Sequence, residues 1–250
     1  MSKKIYLTDI GKELAVTARA ITQSWDGFEQ HVDAVKGLSQ GKLKVAVVST
    51  AKYFMPRLVG GFCKKYPDID VSLEIINRDG VAQRLRENLD DLYIMSMPPS
   101  DLDLVDETFM PNPIVVIAPF SDPLAKRLAV PLTELSQRRF ILREKGSGTR
   151  MAGDQFFTKN KFRPNVRLEL GSNEALKEPV AGGLGLGSVS SHALHGLVKE
   201  HGVSVVSVEG FFLPSAWHIM HPAGKKLPSV ALAFKQHSIK KLSRRKTSSV

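Results

Sequence analysis

Cysteine is almost absent from this chain of 250 residues, since Cys63 is the only one. A single cysteine excludes an intrachain disulfide and any metal site built from several thiolates. Long apolar runs are also missing, because no stretch approaches the roughly 20 residues that cross a bilayer. The first residues, MSKKIYLTDIGKELAV, contain no apolar segment followed by a small-residue cleavage site. We therefore expect a protein of the cytoplasm, or of the organellar stroma if the gene is plastid-encoded.

The motifs of catalysis and cofactor binding are lacking too. The glycine-rich stretch 146–150, GSGTR, does not match the phosphate loop GxxxxGK[ST], and GGLGLG (182–187) lies between a predicted helix and a predicted strand, the reverse of a dinucleotide fingerprint. Of the seven histidines, His192 and His195 are three apart, but nothing nearby completes a set of metal ligands. There is also no defensible Ser/His/Asp arrangement. We expect no enzyme activity, no metal and no cofactor.

Positive charge is what the chain has in excess. It contains 35 Lys and Arg against 25 Asp and Glu, a net charge of +10. Such a balance favours a polyanionic partner or anionic ligands. Five of the cations lie in the last residues, KKLSRRKTSSV (240–250), which we predict to be a solvated, irregular tail.

The first forty residues predict one long helix that starts at a cap on Thr8 or Asp9 and ends in GLSQGK (37–42). Its apolar and small residues recur at alternating steps of four and three, which is the heptad spacing of helices that pair between subunits. We call this set the seam: Leu14, Ala18, Ile21, Trp25, Phe28 and Val32, with Val35 continuing it. The alternative is an amphipathic helix packed on its own domain.

After Gly41 the pattern changes to strands alternating with helices. The near-continuous apolar run LKVAVVS (43–49) is typical of a buried parallel strand. Two more predicted strands, 69–76 and 91–97, alternate with helices at 52–67 and 79–88, so the series βαβαβ predicts a parallel sheet with both faces covered. A similar alternation follows up to a last predicted strand at 216–222 and helix at 227–242. The whole predicts two α/β lobes, with chain crossings at 116–124 and 209–217.

Five segments in this order resemble the LysR-type transcriptional regulators: KKIYLTDIGKELAVTAR, GKLKVAVVST, FCKKYPDIDVSLE, VAGGLGLGSVSSHAL and WHIMHPAGKKLPSVALAF. Within that family, ILREKGSGTRMAGDQFF and LELGSNEALKEPVAGGLGLG resemble the branch that regulates carbon dioxide fixation. The resemblance implies a two-lobed effector domain with the fold of a type II periplasmic binding protein. Such a domain senses small, often phosphorylated metabolites in the cleft between its lobes.

The resemblance also implies a division of the chain. Residues 1–40 correspond to the end of a DNA-binding wing and a dimerising linker helix, and 41–250 to the effector domain. Its first lobe takes in about 41–117 and 216–242, its second about 118–215, and 243–250 form the basic tail. The family's helix-turn-helix precedes this region, so these 250 residues are expected to bind DNA weakly and without sequence preference, through phosphate contacts of Lys3, Lys4 and the basic tail.

Candidate effector-binding residues follow from a rule of open α/β sheets: ligands bind beyond the carboxyl ends of parallel strands, near helix N-termini that favour anions. Four junctions satisfy it, and the residues that we select there are Ser49, Thr50, Lys52, Ser96, Met97, Ser147, Thr149, Arg150 and Asn173. Arg150 stands out because a cation in the first turn of a helix opposes the helix dipole unless it faces an anion or a carboxylate. The alternatives are that the hydroxyls only cap helices and that 143–150 is a surface turn.

The hypothesis from sequence is a regulator, a homodimer or homotetramer, that senses a small anionic metabolite and controls carbon-fixation or related genes. The alternative is a stand-alone cytoplasmic small-molecule-binding protein, or a truncated regulator without specific DNA binding. The predicted linker helix favours the regulator, because a simple receptor does not need it.

Overall fold

The computed structural model describes residues 7–35, 41–194, 202–211, 213 and 215–247. The helices are α1 (Asp9–Val35), α2 (Met55–Lys65), α3 (Arg78–Arg86), α4 (Gly148–Lys159), α5 (Asn173–Ala181) and α6 (Ser229–Thr247). The strands are β1 (Gly41–Val48), β2 (Ile69–Ile76), β3 (Leu92–Met95), β4 (Leu104–Pro111), β5 (Ile114–Pro119), β6 (Arg139–Arg143), β7 (Asn165–Leu170), β8 (Leu186–Ser190), β9 (Val203–Val206) and β10 (Ala216–Pro222). Short 3-10 turns are Ser49–Tyr53, Pro123–Lys126, Leu132–Leu135 and Ser191–Leu194.

The first sheet has the strand order β2-β1-β3-β10-β4. β1 is parallel to β2 and β3, as the sequence predicts, whereas β10 is antiparallel to both of its neighbours. Helices connect the parallel strands and cover them, so Val45, Ala46 and Val47 of β1 are all fully buried. β4 is not foreseen from the sequence, because its residues 105–108 are exposed and break any apolar run.

The second sheet, in the order β7-β6-β8-β5-β9, repeats this plan. β6 is parallel to β7 and β8, and β5 is antiparallel to β8 and β9. Successive side chains of a strand point to opposite faces of the sheet. Accordingly Val116 belongs to one buried cluster and its neighbour Ile117 to the other.

The chain crosses between the lobes twice, and the two crossing segments lie side by side. The Asn112 N–H donates to the carbonyl of Ser215 at 2.7 Å, and Ile114 and Leu213 exchange two backbone hydrogen bonds of 3.3 Å. The predicted first crossing at 116–124 is wrong, because the whole of β5 pairs within the second sheet. The first lobe therefore ends near residue 112 rather than 117.

One predicted helix also differs, because the helix predicted at 52–67 is divided into the turn Ser49–Tyr53 and α2. Pro179 does not end α5, which continues to Ala181. The basic end is not irregular as far as Thr247, where α6 ends. Residues 248–250 lie outside the described part.

α1 is a single helix of 27 residues, and it starts as predicted: the Thr8 hydroxyl accepts a 3.1 Å hydrogen bond from the Gly11 N–H. It contacts α6 on the first lobe. Among the described residues, none of the helices is both long enough and apolar enough to span a membrane.

Candidate functional site

The first wall of the site is built where β1 ends. The chain leaves Val48 in the 3-10 turn Ser49–Tyr53, and α2 begins only at Met55. The sequence predicts Ser49 and Thr50 at the N-terminus of an α-helix. This prediction is wrong, because they lie in the 3-10 turn. They also do not cap one, because neither this turn nor α2 has a side-chain cap. Their hydroxyls remain available to a ligand.

The second wall is the stretch GSGT that follows β6. Gly146 has φ +88°, a left-handed conformation that glycine adopts without strain, and it turns the chain back toward the first lobe. Ser147 is the N-cap of α4, and its Oγ accepts a 3.1 Å hydrogen bond from the Arg150 N–H. Thr149 is buried in the first turn. Here the predicted helix N-terminus does face the other lobe.

These walls enclose one small cavity between the lobes. Its lining is Val48, Ser49, Thr50, Arg78, Ser96, Arg143, Glu144, Ser147, Gly148 and Thr149. Its volume is about 10 Å³, room for about one water molecule. Five of the predicted residues, all with hydroxyls, thus come together at one place. At this place the two lobes leave almost no free space between them.

Arg78 is the cavity residue that sequence reasoning missed. It is the first residue of α3, behind the N-cap Asn77, and its Nη2 donates to the carbonyl of Met97 at 2.9 Å. Its Nε–H is buried and has no hydrogen-bond partner in the part of the chain that the structure describes. A buried donor left unsatisfied costs roughly 1–3 kcal/mol. The signal in the sequence is the one that drew attention to Arg150: a cation in the first turn of a helix, directly after a strand.

Arg143 is the second missed residue, and its donors are satisfied. It is only 2% exposed. Nε and Nη2 donate to the two carboxylate oxygens of Glu144 at 2.8 and 2.9 Å. Nη1 donates to Oδ1 of Asn173 at 3.1 Å, and Nη2 also reaches the carbonyl of Gly171 at 3.2 Å. The predicted ligand residue Asn173 is therefore a buried partner of Arg143 and does not line the cavity.

Arg150 and Lys52, the two cations predicted to face the cleft, both form ion pairs with carboxylates outside the small cavity. Arg150 donates to Asp154 at 2.9 Å, to Glu169 at 3.0 Å and to the carbonyl of Arg143 at 3.0 Å. Lys52 donates to Glu174 at 2.7 Å. Neither lines the cavity, so the prediction that they supply its positive charge is not supported. Carboxylates on their own and neighbouring elements satisfy them instead.

The pair Ser96–Met97 divides between two cavities. Ser96 is buried in the small cavity, next to Gly148. Met97 has φ +55°, an unusual conformation for a side chain of its size. It lines a second cavity of about 360 Å³ together with Ala152, Gln155, Ser215, Ala216 and His218. Because residues of both lobes line each cavity, Ser96 and Met97 both lie along the cleft between the lobes, and their role as ligand residues stays a prediction.

Glu174 of the second lobe bridges to the first. It accepts hydrogen bonds from Lys52 and from the hydroxyl of Tyr53. Burial alone raises the pKa of Glu174, but the hydrogen bonds from Lys52 and Tyr53 outweigh it, so its pKa lies below the ordinary value. Burial, followed by the bond to Glu174, raises the pKa of Tyr53. We call this contact the clasp. Lys177, three residues further along α5, donates to the carbonyl of Ala193 at 3.1 Å and takes no part in the clasp.

The predicted dimer seam lies outside the cleft, on α1. In the seam of α1, Leu14, Ile21 and Phe28 are 67%, 66% and 58% exposed. Lys3, Lys4 and His195 lie outside the described residues. His192 has its Nε2 at 2.9 Å from the carbonyl of Pro111. No three His, Cys, Asp or Glu side chains gather as metal ligands within the described ranges.

Comparisons with known proteins agree with this architecture. The family described as LysR substrate binding domain matches residues 36–243. The chain is 42% identical over 236 residues to the HTH-type transcriptional activator CmpR of Synechocystis, covering 94% of this chain and 77% of the relative. It is 40% identical over 237 residues to a RuBisCO operon transcriptional regulator of Acidithiobacillus ferrooxidans, covering 95% and 77%.

Among solved structures, the regulatory domain of CcmR from Synechocystis PCC6803, in complex with 2-PG, is similar with a TM-score of 0.78. The sequences are 42% identical, and the match covers 81% of this chain and 98% of that one. This likeness confirms the predicted two-lobed fold of a periplasmic binding protein. The resemblance on which the sequence analysis relied is confirmed as well.

Proposed function

We propose, since this chain belongs to the LysR family of transcriptional regulators, that it binds a small anionic metabolite between its lobes and thereby controls transcription. The relatives named above regulate transcription, one of them that of the RuBisCO operon, which supports carbon-fixation genes as the targets. The function is then one of binding rather than catalysis, and its place of action is the cytoplasm. Ligand binding that shifts closure of the lobes couples to the contacts between subunits.

The observation that carries the proposal is the open Nε–H of Arg78. A guanidinium is always charged, and it binds phosphate and carboxylate oxygens through parallel N–H groups. Here one of those groups is buried without an acceptor among the described residues, beside the hydroxyls of Ser49, Thr50 and Thr149. An anion placed there would satisfy the donor and accept from the hydroxyls.

The amino end of α4 adds to this preference. A helix N-terminus favours an anion by roughly 0.3–1 kcal/mol at the surface and by more when it is partly buried. The hydroxyl of Ser147 is used as the N-cap, whereas Thr149 lies in the cavity wall, so the backbone N–H groups and Thr149 are what α4 offers. A phosphate has enough acceptor oxygens to meet both walls at once. We therefore propose a small phosphorylated acid as the effector.

Calorimetry of the full chain against a panel of phosphorylated metabolites, 2-phosphoglycolate among them, tests the proposal. We expect Arg78→Gln to weaken binding by about tenfold or more, because a hydrogen bond to a charged group contributes roughly 1.5–3 kcal/mol. Arg150→Gln is the matched control. It removes a guanidinium close to the same wall that is already satisfied, so the affinity should hold. An equal loss in both variants, or no binding of any phosphorylated compound, would contradict the proposal.

We also propose that α1 joins two copies of the chain through the seam. An apolar row of this length that remains mostly exposed within one chain is what a helix–helix interface between subunits requires. Ile21→Glu with Phe28→Glu places charges one heptad apart in the seam and should lower the mass measured by sedimentation. The control is Lys12→Glu with Arg19→Glu, which are also one heptad apart but lie outside the seam. This variant should keep the mass of the unchanged chain. An unchanged mass in the first variant would exclude the seam as the interface.

A further inference from the structure

Positive charge is concentrated on two helices of the first lobe. α2 carries three cations and α6 six, and neither helix contains a carboxylate. Nine positive charges thus lie on two elements of a chain whose net charge is +10. The sequence alone draws attention to the end of α6, but α2 lies about 180 residues earlier and is not connected with it by any motif.

Packing brings the two helices together. The ring of Phe62 in α2 stacks edge-on against Phe234 of α6 at 5.2 Å and contacts His237 at 5.7 Å. One turn further on, the Nζ of Lys241 donates to the carbonyl of Arg57 at 3.3 Å. This ammonium lies over Gly61, where any side chain would displace it. The cations of both helices therefore form a single surface, which we call the basic face: Arg57, Lys64, Lys65, Lys240 and Lys241.

Most of this charge has no carboxylate partner within the described ranges. Lys235 at the edge pairs with Glu107 at 3.3 Å and does not belong to the basic face. Arg57, Lys64, Lys65 and Lys241 take part in no ion pair among the residues that the structure describes. Burial, and after it the charges of Lys241 and Lys65, lower the pKa of His237 between them. The local potential is therefore positive.

We propose that the basic face is a docking surface for the phosphate backbone of duplex DNA. The choice of DNA rests on the proposed function, since a transcriptional regulator acts on duplex DNA. α6 has 19 residues and is about 28 Å long, close to the roughly 34 Å of one duplex turn. A duplex presents about one negative charge per 1.7 Å of its axis, so a surface of clustered cations can neutralise several phosphates at once.

The chemistry of the face disfavours the other polyanions. Single-stranded nucleic acids bind on exposed aromatic rings, but Phe62 and Phe234 are buried under the face. A protein partner needs apolar anchors at the centre of its interface. Among the described side chains of α2 and α6, one large apolar residue is exposed, Leu232 near the start of α6. What remains is a row of cations that contacts phosphates without reading bases.

The test is binding of the full chain to a mixed-sequence duplex of about 30 bp, measured by fluorescence anisotropy over a range of salt concentrations. The variant Lys64→Gln, Lys65→Gln, Lys240→Gln, Lys241→Gln removes four charges from the basic face. We expect affinity at low salt to fall by at least about tenfold. The slope of log affinity against log salt should decrease by about 0.9 for each phosphate that the variant no longer neutralises.

The matched control removes four exposed charges from the second lobe, through Lys126→Gln, Lys159→Gln, Arg163→Gln and Arg167→Gln. It changes the net charge equally and should keep most of the affinity and the slope. Equal losses in both variants, or none in the first, would overturn the proposal. So would competition by polyglutamate as effective as that by DNA of equal charge, which would indicate an acidic protein as the partner. Effector calorimetry on the same samples separates the two proposals, because a failure to bind effector leaves the DNA result standing.

Discussion

The two walls of the interlobe cavity each contain an arginine, and they hold it in different ways. In the second lobe, Arg143 is enclosed by Glu144, Asn173 and the carbonyl of Gly171. In the first lobe, Arg78 is held by the carbonyl of Met97 and keeps a buried N–H that has no partner among the described residues. Proximity to a ligand site therefore does not make a charge available to a ligand. Availability depends on whether the protein itself supplies the acceptors.

The difference also separates stability from binding. A buried guanidinium whose acceptors lie in its own lobe contributes to folding, because removing it leaves buried polar groups unpaired. A guanidinium with an open donor imposes a cost on the folded state that a ligand relieves. Arg143 should therefore be mainly structural and Arg78 mainly functional.

Substitution of the two arginines should give the largest contrast. We expect Arg143→Met to lower the free energy of unfolding by about 3 kcal/mol. The substitution leaves Glu144 and Asn173 without their hydrogen-bond donor, and the Glu144 side chain is less than one-third exposed. Arg78→Met should cost about 1 kcal/mol or less, since it removes one hydrogen bond and also one unsatisfied donor. Equilibrium urea unfolding measures both. Similar losses in the two variants would remove the distinction between the two arginines.

The hydroxyls on both walls should have smaller and equal effects on binding. Thr50→Val and Thr149→Val keep the shape of buried side chains and remove one hydrogen-bonding group from each wall. We expect each to weaken effector binding by about 1 kcal/mol, roughly fivefold, and by more where the bond meets a charge. Calorimetry is the measurement, with Thr158→Val at the exposed end of α4 as the control. If only one wall responds, the effector contacts one lobe alone.

The smallest effect should come from the clasp that joins the walls. Lys52 and Glu174 are 36% and 46% exposed, so their pair contributes about 0–1 kcal/mol. Because the pKa of Glu174 is lowered in the closed cleft, this contribution is present above its ordinary pKa of 4.5 and is lost as the pH falls through the lowered value. Glu174→Gln should have the same effect at neutral pH as acid has on the unchanged chain, which is loss of the clasp. Small-angle scattering should show a slightly larger radius of gyration in both cases, and a cleft that stays equally closed in Glu174→Gln at neutral pH would exclude this role.

Sequence reasoning located the hydroxyl side of the cavity and missed its charged side. Ser49, Thr50 and Ser96 follow strand ends of the first sheet, and Ser147 and Thr149 follow a strand end of the second. Ligands of open α/β sheets bind beyond such ends, so a site between two lobes that face each other was predictable. The choice of cations was not, since Lys52, Arg78, Arg143 and Arg150 all lie near such junctions. Only the positions of Glu144, Asp154, Glu169 and Glu174 decide which of them is neutralised.

Local patterns in the sequence were enough for the class of fold, the order of most elements and the exposed seam of α1, because these follow from periodicity and from residues close together in the chain. Long-range packing was needed to settle where the chain crosses between the lobes, which arginine keeps an open donor, and that α2 and α6 share one basic face. These features rest on contacts between residues up to about 180 positions apart. Their energies depend on burial and on the partners nearby, and neither quantity is encoded in the spacing of residues along the chain.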